Sequence, residues 1–492
     1  MNRKLIYPVL FLSLSSLAHA QTPINDQQVR EKINERLNDQ RIQDRPATPL
    51  QTQAPRWEQP VKNQPAEKTL QISKEELVKY PSLVIRALLP ALAQNNADHV
   101  ALLLPIYRQV PSQYHDPILL KWGEAILARK AYKHGEAIRL YRQLLAEKSD
   151  LVIVRLQLAV ALFENNELDA AENQFQKLGA EPLIPELHSL VQSYQQAIQR
   201  RNRWSLNGGA TYLYDPNINN APKTGTRIGN WTGPEAESAS GIGVNLNIGK
   251  KWSWGNGFFN ELRLEGSGKY YWDNKKYNEA RGKASIGIGF QNVKGSLTLL
   301  PFMEQVIYAG GSKQSDTLKR FSKSHGITLE ADYWITPKWQ FNHSYEYSDQ
   351  TYVTRKHLNG HSHFISAGIT YLANAKQYWF ANLNFNDTYT RDPDDSFIRR
   401  GAVIGWGQEW GKGLSTRLSL SYAKKHYKGP MIIFLTTQRN QEYGVNVSVW
   451  HRAIHYLGVT PRLTYSYNKV KSNHVFSTYD KHRAFIELSK RF

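Results

Sequence analysis

The sequence predicts an α + β chain in two units: an α-helical repeat, then an antiparallel transmembrane β-barrel of about 14 strands. Three observations carry the second unit. Residues beyond 203 alternate apolar and polar side chains over many short segments: Trp339, Phe341, Tyr345 and Tyr347 fall on one parity, Gln340, Asn342, Ser344, Glu346 and Ser348 on the other. Side chains alternate faces along a strand, so each strand has one apolar and one wet side. Aromatics concentrate there, with 11 of 13 Trp after residue 203, and Trp and Tyr favour lipid–water boundaries. The connections between segments alternate short and long, as in barrels that turn tightly on one side of a membrane and loop on the other.

The first element is a secretory signal over 1–20: Arg3 and Lys4, an apolar stretch from Leu5 to Leu17, and Ala18-His19-Ala20 as a small-residue cleavage site. Residues 21–69 are an N-terminal extension ending in a Pro- and Gln-rich linker (Pro46, Pro49, Pro55, Pro60, Pro65). No later segment offers the roughly 18 apolar residues of a spanning helix. The chain has no cysteine, which excludes disulfides, thiolate ligands and thiol nucleophiles.

Residues 70–202 read as helices with a 34-residue period. Tyr107, Tyr141 and Phe175 are spaced so; Leu103, Ala137 and Ala171 stand four before them. A small residue lets two helices approach, and an aromatic four later fills the same face; this is the tetratricopeptide (TPR) pattern. Ala137, Tyr141, Ala171 and Phe175 are therefore the expected packing residues. In the second repeat Trp122-Gly123 aligns with Leu158-Ala159 only if its turn holds two extra residues.

The strands are expected near 203–214, 239–251, 257–272, 279–293, 296–309, 320–335, 337–351, 360–373, 376–391, 396–410, 413–427, 438–452, 455–469 and 479–492. Long loops near 215–238, 310–319, 352–359, 428–437 and 470–478 would face outside, placing the helices and Phe492 on the periplasmic side. Ile486, Leu488 and Phe492 share one parity in the last strand, as in the C-terminal targeting strand of outer-membrane barrels. Residues 1–202 have a net charge of +4 and 203–492 of +16. Contact with anionic lipid headgroups or acidic cargo accounts for that excess more economically than nucleic acid does.

Catalytic chemistry finds no footing. There is no G-x-S-x-G elbow. His361 and His363 lie on one strand face without a third ligand nearby, and Asp392, Asp394 and Asp395 lack the spacing of a calcium loop. No enzyme, cofactor or metal is expected. More specific is Asp215-Pro216-Asn217-Ile218-Asn219-Asn220-Ala221-Pro222, directly after the first strand. Asp and Asn fold back on their own backbone in such segments. Asp215, Asn217, Asn219 and Asn220 either shape the first outer loop or stand at the seam between first and last strands as cargo contacts.

A signal peptide, a short TPR unit, a 14-strand barrel and this Asn-rich segment together resemble the surface lipoprotein assembly modulators, the Slam proteins, over roughly 80–492. The resemblance implies an outer-membrane translocator of Gram-negative type XI secretion. It would carry surface lipoproteins, or secreted haem- or iron-binding proteins, out of the periplasm, with the TPR unit capturing cargo. A periplasmic chaperone and the barrel-assembly machinery are implied as possible partners. The alternative from the residues is a TPR-barrel exopolysaccharide exporter, whose lumen would suit the basic excess.

Overall fold

The computed structural model describes residues 73–201 and 204–491, apart from 256, 293, 312–315, 337, 375, 433 and 455–458. The signal segment, the 21–69 extension and Phe492 lie outside the described residues.

The helical unit runs α1 (Lys74–Leu77), α2 (Pro81–Ala93), α3 (Ala97–Tyr107), α4 (Pro117–Lys130), α5 (His134–Glu147), α6 (Val152–Glu164), α7 (Leu168–Gly179) and α8 (Pro185–Arg201). Helices pair antiparallel across three turns, each with a left-handed central residue: Asn95 (φ 53°), Tyr132 (φ 58°) and Asn166 (φ 64°). Counted from those turns, Tyr141 and Phe175 are equivalent, and so are Ala137 and Ala171; all four are fully buried. The first repeat follows a different register. Its equivalents are Val100 and Leu104, both buried, rather than Leu103 and Tyr107. Tyr107 serves instead to fasten the connection to α4: its hydroxyl donates to Tyr114 O (2.9 Å) and accepts from the Asp116 N–H (2.7 Å). The second repeat needs no lengthened turn either, since 131–133 and 165–167 are the same length and Ala125, fully buried, matches Ala159. Gly123 does other work: a Cβ there would stand 2.7 Å from Leu104 Cδ1, so its lack of a side chain lets α3 and α4 close up.

Phe175 stacks on Tyr194 of α8 (centroids 4.9 Å, planes 15° apart), and Phe163 meets the same ring edge-on. We expect Phe175→Ala to destabilise the helical unit by about 3–5 kcal/mol, the cost of a large aromatic cavity. In urea titrations of the whole protein in detergent, the 222 nm signal should then be lost at lower urea while the barrel's heat-dependent gel mobility is unchanged.

The barrel strands are β1 (Ser205–Asp215), β4 (Ala239–Gly255), β5 (Phe258–Tyr271), β6 (Glu279–Gln291), β7 (Gly295–Tyr308), β8 (Lys319–Thr336), β9 (Trp339–Tyr352), β10 (Gly360–Asn374), β11 (Gln377–Thr390), β12 (Phe397–Glu409), β13 (Leu414–Pro430), β14 (Thr437–His451), β15 (Thr460–Ser472) and β16 (Tyr479–Arg491). Each pairs antiparallel with its sequence neighbour, and β1 pairs with β16 to close a barrel of 14 strands. A small hairpin, β2 (Arg227–Ile228) and β3 (Trp231–Thr232), sits in the first long loop. Of the strand expected over 455–469, residues 455–458 lie outside the described residues, and β15 is described from Thr460.

Alternation resolves into wall and lumen. Val244, Ile286, Leu383, Ile404, Leu420 and Leu463 are exposed on the outer wall, where lipid takes the place of water. Trp204, Trp252, Trp339, Trp379 and Trp410 lie near the short-turn rim; Tyr270, Tyr389 and Tyr422 lie toward the long-loop end. Inside, polar side chains pack against each other across strands: Lys283 with Glu346 (3.0 Å), Arg263 with Glu330 (3.2 Å) and Glu261 (2.9 Å), and Arg399 with Glu442 (2.8 Å). These contacts line the lumen with paired charge.

Candidate functional site

Among the described residues, the seam between β1 and β16 is the shortest ladder in the barrel. It joins six residue pairs, from Asn207↔Arg491 to Tyr212↔Ile486, whereas β1 joins β4 over eleven and β16 joins β15 over eleven. Alternate pairs exchange backbone hydrogen bonds that lipid cannot replace, so parting these two strands would break fewer of them than parting either neighbouring pair. Above Tyr212 the two strands lose their ladder, although both continue toward the long-loop end.

The Asn-rich segment occupies that gap. Asp215 accepts the Asn217 N–H (3.0 Å) in an Asx turn. Asn217 closes the next turn from both ends of its amide, donating to Ala221 O (2.8 Å) and accepting the Ala221 N–H (2.8 Å). Asn219 does the same for the far arm of the loop, donating to Glu235 O (2.7 Å) and accepting the Glu237 N–H (2.9 Å). Asn220 takes a left-handed φ of 52° that Asn tolerates. All four are buried.

Two side chains that the sequence did not single out complete the arrangement. Lys481 of β16 extends its ammonium to Asn220 Oδ1 (2.7 Å) and Asp215 Oδ2 (3.3 Å), and Arg483 Nη1 stands 4.0 Å from the same carboxylate. Lys481 has a side-chain exposure of only 1%. A polar clasp thus joins the first and last strands where their ladder is missing. Farther along the loop, burial opposes ionisation of Glu237, but Lys276 (2.5 Å) and the Asn274 amide outweigh it and hold the carboxyl below its usual range.

The first loop also covers the barrel mouth. Ile218 joins a buried apolar cluster with Tyr271, Tyr277, Tyr308 and Tyr352 on one side. Trp231 meets Phe434 (6.4 Å), and Gly233 faces Phe476, on the other. At the opposite end, Lys294 of the β6–β7 turn stands over the Tyr132 ring of the helical unit (5.8 Å). Burial pushes the nearby His134 imidazole below its ordinary value; Glu164 opposes this, and Arg129 and Lys294 reinforce it. The helices therefore dock at the short-turn rim.

The remaining expected residues fall elsewhere. Ile486 pairs with Tyr212 and Leu488 with Ala210, both exposed on the outer wall of β16. His361 and His363 sit on the outer wall among tyrosines, with Tyr345 Oη 3.0 Å from His363 Nδ1. Among the described residues, no group of His, Asp or Glu is arranged to hold a metal ion.

Comparison with known proteins places both units. Residues 204–492 match the family model "Surface lipoprotein assembly modifier", and residues 70–175 match "Surface lipoprotein assembly modifier, N-terminal TPR repeats". The chain is 47% identical to surface lipoprotein assembly modifier 1 of Haemophilus influenzae, over 86% of this chain and 87% of that one. It is 42% identical to the surface lipoprotein assembly modifier of Pasteurella multocida (93% and 92%). It is 25% identical to the hemophilin secretion modulator of Acinetobacter baumannii (86% and 89%). Among solved structures, a Pseudomonas aeruginosa FadL homologue superposes with a TM-score of 0.32 at 9% identity, over 59% of this chain and 89% of that one.

Proposed function

The chain belongs to the surface lipoprotein assembly modifier family, and on that premise we propose that it moves surface lipoproteins, or secreted haem- or iron-binding proteins, from the periplasm to the cell surface or medium. The single observation that carries this reading is a helical repeat docked on the short-turn rim of a membrane barrel whose lumen is lined by paired charges. Stacked helix pairs present extended surfaces to peptides and proteins. Cargo would be received there, directly or from a periplasmic chaperone, and would leave along the β1–β16 seam, with outer-membrane lipid alongside. The barrel-assembly machinery is a further candidate partner. No catalytic step and no cofactor enter this route. Direction comes from cargo folding outside: a domain stabilised by about 5–15 kcal/mol on folding does not return. The family match gives the exopolysaccharide-exporter alternative no support.

The test is co-expression with a candidate cargo in a laboratory Gram-negative strain, with and without residues 70–201. Cargo on intact cells, read by antibody and protease accessibility, should fall at least tenfold in the deletion while the barrel keeps its heat-dependent gel shift. Undiminished display without the helical unit would remove the capture role.

A further inference from the structure

The outer wall of β12–β15 carries a basic surface that translocation does not explain. Register fixes its layout. Arg400, Lys424, Gln441 and Lys471 stand opposite one another in a single row across four strands. In the next row outward, His426 pairs with Arg439. In the row below, Tyr422 pairs with Tyr443, and Tyr443 with Lys469. All of these occupy the parity opposite to the lumen residues Lys425, Asn440 and Val470, which are buried. They therefore belong to the lipid-facing wall and not to the loops.

Height is set by the same register. Lys424 lies two residues beyond Tyr422, and Arg439 four beyond Tyr443, so the cations rise roughly 7–14 Å along the strands above the tyrosine level. Leu420, one row below Tyr422, is exposed on the hydrocarbon-facing wall. Tyrosines on a barrel mark the edge of the hydrocarbon, which leaves the cations at the depth of lipid headgroups. The end is that of the long loops.

Other charges nearby are neutralised: Lys428 by Asp387 (2.5 Å) on the same wall, Arg399 by Glu442 (2.8 Å) inside. Asp480, opposite Lys469, is the acidic residue at the edge of this surface. Among the described residues, no carboxylate pairs with Lys424, Arg439 or Lys471. A cleft of about 350 Å³ opens between these three side chains and His426. Strands lie about 4.8 Å apart, so Lys424 and Lys471, two strands apart, can close on one anionic group from both sides. Uncompensated cations gathered in a cleft over an apolar wall call for a ligand with a phosphate above and acyl chains below.

We propose that this cleft binds the phosphate headgroup of an outer-leaflet glycolipid, with Lys424, Arg439 and Lys471 as its principal contacts and the Tyr422–Tyr443 wall against its acyl chains. Headgroups would then order the barrel on the face beside the β14–β16 strands that lead to the seam.

The test uses the full-length protein, purified in detergent, stripped of lipid and examined by native mass spectrometry. The probes are bisphosphorylated lipid A, its dephosphorylated counterpart and inorganic phosphate. The wild type should retain bisphosphorylated lipid A at least tenfold better than the dephosphorylated form. A Lys424→Gln, Arg439→Gln, Lys471→Gln triple variant should lose that preference with its heat-dependent gel shift intact, and Lys424→Arg with Lys471→Arg should keep it. Equal retention of both lipids by the wild type, or full retention by the triple variant, overturns the proposal. Displacement of the lipid by equimolar inorganic phosphate also overturns it, identifying a free-anion site instead.

Discussion

Cargo display should stop when the β1–β16 seam is covalently closed. The natural chain has no cysteine, so a Thr211→Cys, Glu487→Cys pair introduces the only two thiols. These positions face each other in the ladder, and directly opposed residues in antiparallel strands have Cα atoms about 4.5–5.5 Å apart, within disulfide range. Under oxidising conditions we expect surface cargo to fall at least tenfold and to recover when reductant is added. A matched pair at Ala367 and Leu383, opposed in the β10–β11 ladder, should crosslink without effect.

The size of the expected effect follows from what the alternatives demand. Passage through the lumen would have to break the Lys283–Glu346, Arg263–Glu330 and Arg399–Glu442 contacts and also lift the first loop from the mouth. Splitting such a partly desolvated ion pair without replacing the lost partners is unfavourable. Parting the seam breaks six residue pairs among the described residues, about half of a neighbouring ladder, together with the Lys481–Asp215 clasp, and leaves the lumen contacts in place. Display that persists with the seam crosslinked and the crosslink verified by gel would sink the lateral route and return the lumen to consideration.

Much of this architecture was legible in the chain. A barrel wall separates lipid from polar lumen, so every strand must alternate, and Trp339 to Ser348 shows the alternation with no reference to partners. The equivalence of Ala137 with Ala171 and of Tyr141 with Phe175 was readable from their 34-residue spacing because turns of the same length precede them. The first repeat misled because Tyr107 lies at the 34-residue spacing for another reason, fastening a longer connection through its hydroxyl. The clasp was legible on one side only. Asx-forming residues in a row announce a folded loop, but Lys481 lies 266 residues from Asp215, and on its own strand it is one more lysine on the lumen parity. Only ring closure makes the two neighbours.

That closure gives the second large expectation. Lys481→Ala should loosen the long-loop half of the seam. It leaves Asp215 buried with Arg483 at 4.0 Å and its Asx turn, and removes the donor to Asn220 Oδ1. Removing one partner of a buried pair costs about 3–5 kcal/mol, because the remaining charge stays desolvated. The midpoint of the heat-dependent gel shift should fall markedly. Asp215→Asn combined with Lys481→Met should fall less than Lys481→Ala alone, since the Asn keeps the Asx acceptor and no charge is stranded. The coupling between the two sites, read from a double-mutant cycle, separates a clasp from independent loop packing. Additive losses would mean that Lys481 and Asp215 stabilise the barrel separately. A loosened clasp should also raise the rate at which the Thr211–Glu487 cysteine pair reacts with a bulky thiol reagent, because those residues are held by the ladder that the clasp protects. If that reactivity is unchanged while stability falls, the clasp shapes the first loop and leaves the seam alone.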